Sequence, residues 1–134
     1  MTAKSVALRL LSIKSRTTLE LRKKLTLRGF SLQEINDAIA LCRGYGYLND
    51  DEEAKRRFDR LKQKGYGPRL IAAKLQDQGL KNSEMSFQDQ VAAIQNLIAK
   101  PLWKKKGKRN LIAALQRRGF DFQCILAVIS VADL

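Results

Sequence analysis

The chain has 134 residues, 45% of them hydrophobic, with 26 Lys and Arg against 13 Asp and Glu, a formal net charge of +13. That apolar share can build a core, and the charge points to a polyanion or an acidic protein face as partner without choosing between them. The absence of histidine removes His-based acid–base catalysis, the common hydrolytic triad and most zinc sites, and no apolar run reaches the roughly 20 residues of a membrane span.

The first segment reads as an amphipathic helix over residues 4–14, with Val6, Leu10 and Ile13 on one side. No small-residue cleavage site follows it, so the chain is expected in the cytoplasm. Next comes Thr17, which with Glu20 fits the S/T-x-x-E capping box; Ser31 with Glu34 repeats it. Between them, Leu21 and Leu25 form one helix face, Gly29 ends the helix and Phe30 packs back on its last turn. A turn, "GYGYLND", then leads to Asn49, a capping residue with Glu52 three positions on. Asp50, Asp51, Glu52 and Glu53 crowd the start of this helix, and Arg56, Arg57, Arg60, Lys62 and Lys64 follow, which complements the helix macrodipole. Ala54, Phe58 and Leu61 give its buried face, and Arg56 and Arg60 point away from it.

The pattern Leu21, Leu25, Gly29, Phe30, Ile35 then recurs as Ile71, Leu75, Gly79, Leu80, Met85 and as Leu111, Leu115, Gly119, Phe120, Ile125. Thr17, Gly67 and Gly107 stand at equivalent positions where each helix should begin, and Pro68 suits a first helical turn. A further helix precedes each unit, near residues 4–14, 49–64 and 90–100. The expected fold is therefore all-α: three tandem three-helix repeats stacked into an elongated, curved array. The repeats are 1–48, 49–89 and 90–134. The last helix of the second should be short or irregular, because Gln88 and Asp89 stand where the first repeat has Ala38 and Ile39. The third opens through "AKPLWKKKGKR", where Pro101 is expected to end a helix before a lysine cluster.

Thr17-x-x-Glu20-Leu21-x-x-Lys24-Leu25-x-x-x-Gly29, then Gly46-Tyr47-Leu48-Asn49-Asp50, then Lys64-Gly65-Tyr66-Gly67-x-x-x-Ile71-x-x-x-Leu75-x-x-x-Gly79, resemble the RecX regulatory proteins. The resemblance covers nearly the whole chain. It implies a curved molecule of three-helix repeats that binds the RecA recombinase filament in its helical groove. It further implies inhibition of recombination, of ATP hydrolysis and of the stimulated self-cleavage of repressors, in DNA repair and the SOS response. Single-stranded DNA within or beside the filament is a second implied contact.

Repeat proteins bind through extended faces rather than pockets, so outward bases are the candidate contacts. With Leu21 and Leu25 facing inward, Arg22 and Lys23 face outward. Arg69 and Arg109 share one position, ten before Gly79 and Gly119, and face outward, as do Arg56, Arg60 and Arg117. Lys104, Lys105, Lys106, Lys108 and Arg109 make the densest patch, beside Trp103. Trp103 either stacks on a base or a partner's side chain, or closes a local core. Arg28 and Arg118 lie nearer the buried edge and are read as capping or snorkelling residues. Any one of these bases can equally be an ordinary solvated side chain; the set carries the expectation.

No Gly-Lys-Ser/Thr loop and no CxxC pair occurs, and Cys42 and Cys124 read as buried reduced thiols. No cofactor, metal or membrane is expected, the chain is read as a monomer, and an enzyme is disfavoured because capping accounts for its one carboxylate cluster. The competing reading is a sequence-independent, nucleoid-type nucleic-acid binder, which the charge and the helix–turn–helix-like units also fit.

Overall fold

The computed structural model describes residues 1–129, which form an all-α fold. Nine helices run in order among them: α1 (Ala3–Ile13), α2 (Thr18–Leu27), α3 (Leu32–Gly44), α4 (Asp50–Gln63), α5 (Pro68–Asp77), α6 (Phe87–Ile98), α7 (Pro101–Lys104), α8 (Lys108–Arg117) and α9 (Phe122–Val128). They fall into two compact units. One comprises Met1–Arg56 with Gln76–Lys81, the other Arg57–Leu75 with the chain from Asn82.

In the first unit, α1, α2 and α3 pack on one another around Val6, Ala7, Leu10, Leu21, Leu25, Ile35, Ala38, Ile39 and Cys42. Local chemistry sets the helix ends. Thr17 Oγ1 accepts from the Glu20 amide at 3.1 Å while Glu20 Oε1 accepts from the Thr17 amide at 2.9 Å, and Ser31 with Glu34 does the same. Each box satisfies donors that a helix start otherwise leaves open. At the other end the Phe30 amide donates to the Leu25 carbonyl and the Gly29 amide to Thr26, with Gly29 at φ +86°. This is a Schellman turn, whose left-handed residue favours glycine.

The sequence puts Ile13 on the buried side of α1, but it is exposed. It is the last helical residue, and Lys14 turns extended behind it, so the stripe that reaches the core is Ala3, Val6, Ala7 and Leu10.

The acid-rich start of α4 does more than complement a dipole. Asn49 Oδ1 accepts from the Glu52 amide at 3.2 Å, as expected of a cap. Asp50 Oδ1 accepts from the Thr18 amide at 2.8 Å, so this carboxylate serves the start of α2. Glu53 is buried, accepting from Ser15 Oγ and pairing with Arg56. Two acids of the cluster thus tie α4 to the α1–α2 link.

In the second unit, α9 packs against α6 and α8, and α6 against α7. Its buried apolar side chains include Ile71, Leu75, Ile94, Leu97, Leu115, Phe120 and Ile125. The α8–α9 link repeats the α2–α3 turn: the Phe120 amide donates to Leu115 and the Gly119 amide to Gln116. Gln90, buried in α6, exchanges two hydrogen bonds with Asp121, 3.0 Å to its carboxylate and 3.1 Å from its amide.

Residues 80–86 carry no helix, so the second repeat lacks its third helix. Gln88 and Asp89, which the repeat alignment sets in that element, lie in the first turn of α6, which Ser86 caps by accepting from the Asp89 amide at 3.0 Å. The cap, rather than the repeat register, fixes where this helix starts. Pro101 likewise opens a helix instead of ending one. It sits in the first turn of α7, where its missing N–H costs nothing, and α6 has already stopped at Ile98. The C-terminal part of the 90–134 segment lies partly outside the described residues.

Candidate functional site

Helical geometry decides which bases reach solvent, and the unit cores decide which of those remain available. On α2, Lys23 is exposed, whereas Arg22 is half-buried and donates to Asn36 Oδ1 at 2.9 Å. Arg22 is therefore partly committed to α3. Arg56 lies 2.6 Å from the buried Glu53 carboxylate, so its charge is largely answered within the chain. Arg60, in the last turn of α4, is exposed. Its neighbour Arg57 is buried. Arg69 is exposed but pairs with Asp121 at 3.5 Å, where its amide also meets the Gly119 carbonyl at 3.0 Å. Its first role is structural.

Lys104, Lys105, Lys108, Arg109 and Arg117 all belong to α7, α8 and the link between them. Lys104, Lys105, Arg109 and Arg117 are exposed, and none of these four makes an ion pair among the described residues. Lys108 is half-buried. The helix that carries Lys108 and Arg109 starts badly by the ordinary rules. Gly107 offers no side-chain cap, and the first turn holds no acid. Arg109, exposed in that turn, opposes the helix macrodipole at a cost of roughly 0.3–1 kcal/mol. The start of α4, with four acids, shows the opposite arrangement in the same chain. Arg109 thus works against the stability of its own helix, whereas Arg117 in the last turn suits the dipole.

Trp103 is buried, which answers the choice left open by the sequence in favour of a core role. Its ring also lies under two cations, Arg118 at 5.5 Å and Lys106 at 5.8 Å from the ring centre. Arg118 stands over Tyr66 as well, at 5.1 Å, and donates to the Lys64 carbonyl at 3.1 Å. Arg118 therefore snorkels across aromatic faces instead of capping its own helix, while Arg28 is simply exposed. Sequence reasoning set Lys106 in the basic patch and read Arg118 as a capping or snorkelling residue, but brought neither together with Tyr66 and Trp103. Only the aromatic residues beside basic ones hinted at this grouping, and the pairing crosses 52 positions between Tyr66 and Arg118.

Burial pushes the thiols of Cys42 and Cys124 up from their ordinary value, and the Asp121 carboxylate adds to the effect at Cys124. Both are free cysteines held as neutral core groups. Among the described residues no group of His, Cys, Asp or Glu is placed to hold a metal, and no helix is long and apolar enough to cross a membrane.

These features define a basic, all-helical repeat protein whose conspicuous surface chemistry is cationic. Residues 3–42 match the family profile described as RecX, first three-helix domain. The chain is 32% identical to the regulatory protein RecX of Vibrio vulnificus over 97% of its length and 92% of that protein's. It is 30% identical to the regulatory protein RecX of Bacillus licheniformis, over 95% of this chain and 54% of that one. The crystal structure of RecX from Lactobacillus salivarius superposes with a TM-score of 0.83 at 20% identity, covering 98% of this chain and 94% of that one. A second crystal structure, of regulatory protein RecX, gives 0.78 at 19% identity, over 94% and 69%. The chain belongs to the RecX family of regulatory proteins.

Proposed function

We propose that this chain regulates the RecA recombinase by binding its filament on single-stranded DNA, restraining strand exchange, ATP hydrolysis and coprotease action in DNA repair. It works as a monomeric cytoplasmic protein and supplies no catalytic group. The chain lies along the filament groove, bridges neighbouring subunits and blocks a second DNA.

The observation that carries this reading is the basic run from Lys104 to Arg109, exposed at four of its five bases, with Arg109 set against the dipole of α8. Charge that destabilises its own helix is understandable if a partner neutralises it. Membership of the RecX family supports the RecA filament as that partner. Lys23, Arg60 and Arg117 extend the set, whereas Arg22, Arg56 and Arg69, being engaged within the chain, contribute less.

The test is phosphate release by RecA on single-stranded DNA as this protein is titrated in. Stoichiometric or smaller amounts should slow it, and the quadruple change of Lys104, Lys105, Lys108 and Arg109 to Glu should remove most of the effect. Unchanged turnover with the wild-type chain would defeat the reading. A free-DNA affinity that falls with salt at a slope near −0.9 per phosphate contacted, with no gain from recombinase, would favour the nucleic-acid binder instead.

A further inference from the structure

We infer that the cleft beside Trp103 is a docking site for an acidic peptide segment carrying an apolar side chain next to its carboxylate. The cleft, of about 590 Å³, lies wholly within the second unit. Tyr66, Leu70, Leu102, Trp103 and Ala114 give it apolar walls, and Lys106, Arg117 and Arg118 give it cations. Among the described residues no carboxylate lines it.

Charge complementarity calls for an anion. Arg118 is pre-set by its two aromatic faces and its bond to the Lys64 carbonyl, and Lys106 rests over Trp103. A guanidinium held in this way binds a carboxylate or phosphate with less ordering cost than a free one. Arg117, exposed and without an ion pair among the described residues, adds a third donor group.

The apolar walls decide the class of anion. Nucleic acid would use such a cleft by stacking bases on Trp103 and Tyr66. Those rings are already covered: Arg118 and Lys106 stand over Trp103, Arg118 and Lys74 over Tyr66. Trp103 is moreover buried. A sugar–phosphate backbone alone has no use for Leu102, a large apolar side chain left 78% exposed at the edge of the cleft. An acidic peptide uses both parts, its carboxylate on the cations and its neighbouring apolar side chain on Leu102 and Leu70. On the proposed function, which this inference deepens, the segment belongs to the recombinase rather than to its DNA.

The single tryptophan gives a local readout. The intact protein is titrated with a synthetic peptide of alternating Glu and Leu, with its Glu–Ser counterpart and with oligothymidylate, while Trp103 emission is followed. The Glu–Leu peptide should shift the emission saturably. Leu102→Ser and Arg117→Ala, both at exposed positions, should each weaken it about tenfold, the loss of one anchor or one charge-assisted contact. Oligothymidylate should neither shift the emission nor displace the peptide. Three results would each overturn the inference: no saturable shift, equal binding of the Glu–Ser peptide, or displacement by oligothymidylate. Recombinase is absent from this titration, so its outcome stands apart from that of the ATPase assay. Inhibition of RecA without peptide binding would sink the cleft and leave the proposed function, and the converse result would do the reverse.

Discussion

Gly67 and Gly119 meet backbone to backbone. The Gly67 amide donates to the Arg118 carbonyl at 2.7 Å, and a Cβ on Gly67 would fall under 3.0 Å from the Gly119 carbonyl and the Phe120 nitrogen. A Cβ on Gly119 would in turn crowd the Leu70 amide. The first unit holds a looser counterpart, where a Cβ on Gly79 would stand 3.0 Å from that of Leu19. In both places the turn glycine of one repeat rests on the first turn of the second helix of the repeat before it. The glycine marks the end of a helix and also lets the next module approach.

This contact gives a graded prediction. Gly29→Ala meets nothing within 4 Å and should lose only the left-handed penalty, about 1–2 kcal/mol. Gly119→Ala adds a backbone collision at the same kind of φ and should lose at least about 1 kcal/mol more. Urea midpoints of the two variants, with unchanged slopes, provide the comparison. Equal losses would show that the close approach carries no energy.

Thr17 is wholly buried and completes its capping box with both hydrogen bonds. Thr17→Ala should therefore cost about 1–2 kcal/mol, near the upper end for an N-cap. Ser31, in an equivalent but exposed box, should cost less. The difference is readable from thermal or urea unfolding of the two single variants.

Arg109 makes an unusual trade-off testable. Arg109→Glu places an acid in the first turn of α8 and should stabilise the free protein by roughly 0.5–1.5 kcal/mol. The same change should weaken inhibition of RecA. A variant that is more stable and less active would separate binding from folding; loss of both would mean that Arg109 holds the helix in place.

The buried thiols set a pH dependence. Their folded values are raised above the ordinary 9.0, so burial favours the neutral form. The stability they contribute is complete below the unfolded value and is lost as pH climbs through the folded one. Between about pH 8 and about pH 10 the wild type should lose more stability than Cys42→Ala, measured as the change in urea midpoint for each. Native Cys42 should also label with a thiol reagent far more slowly than the unfolded chain.

Much of the fold was open to reading from local patterns. The helix starts at Thr17, Ser31 and Gly67, the turns at Gly29, Gly79 and Gly119 and the buried Leu25, Leu75 and Leu115 each depend on residues a few positions apart, and such interactions are written in the sequence directly. The outward face of Lys23, Arg60, Arg109 and Arg117 was legible for the same reason, since a helix face follows from spacing, whereas Arg22 is half-buried against Asn36.

What the sequence alone determined is which residues form helices, where most of them stop, and that the surface is basic with no histidine chemistry. The tertiary structure decided which bases are free. Asp50 turns to α2, Glu53 takes Arg56, Asp121 takes Arg69, and Arg118 lies over Tyr66 and Trp103. It also decided that Ile13 faces solvent and that α6 starts at Phe87. These outcomes join groups far apart along the chain, and a charge or an apolar side chain finds its partner only when folding closes the loop between them.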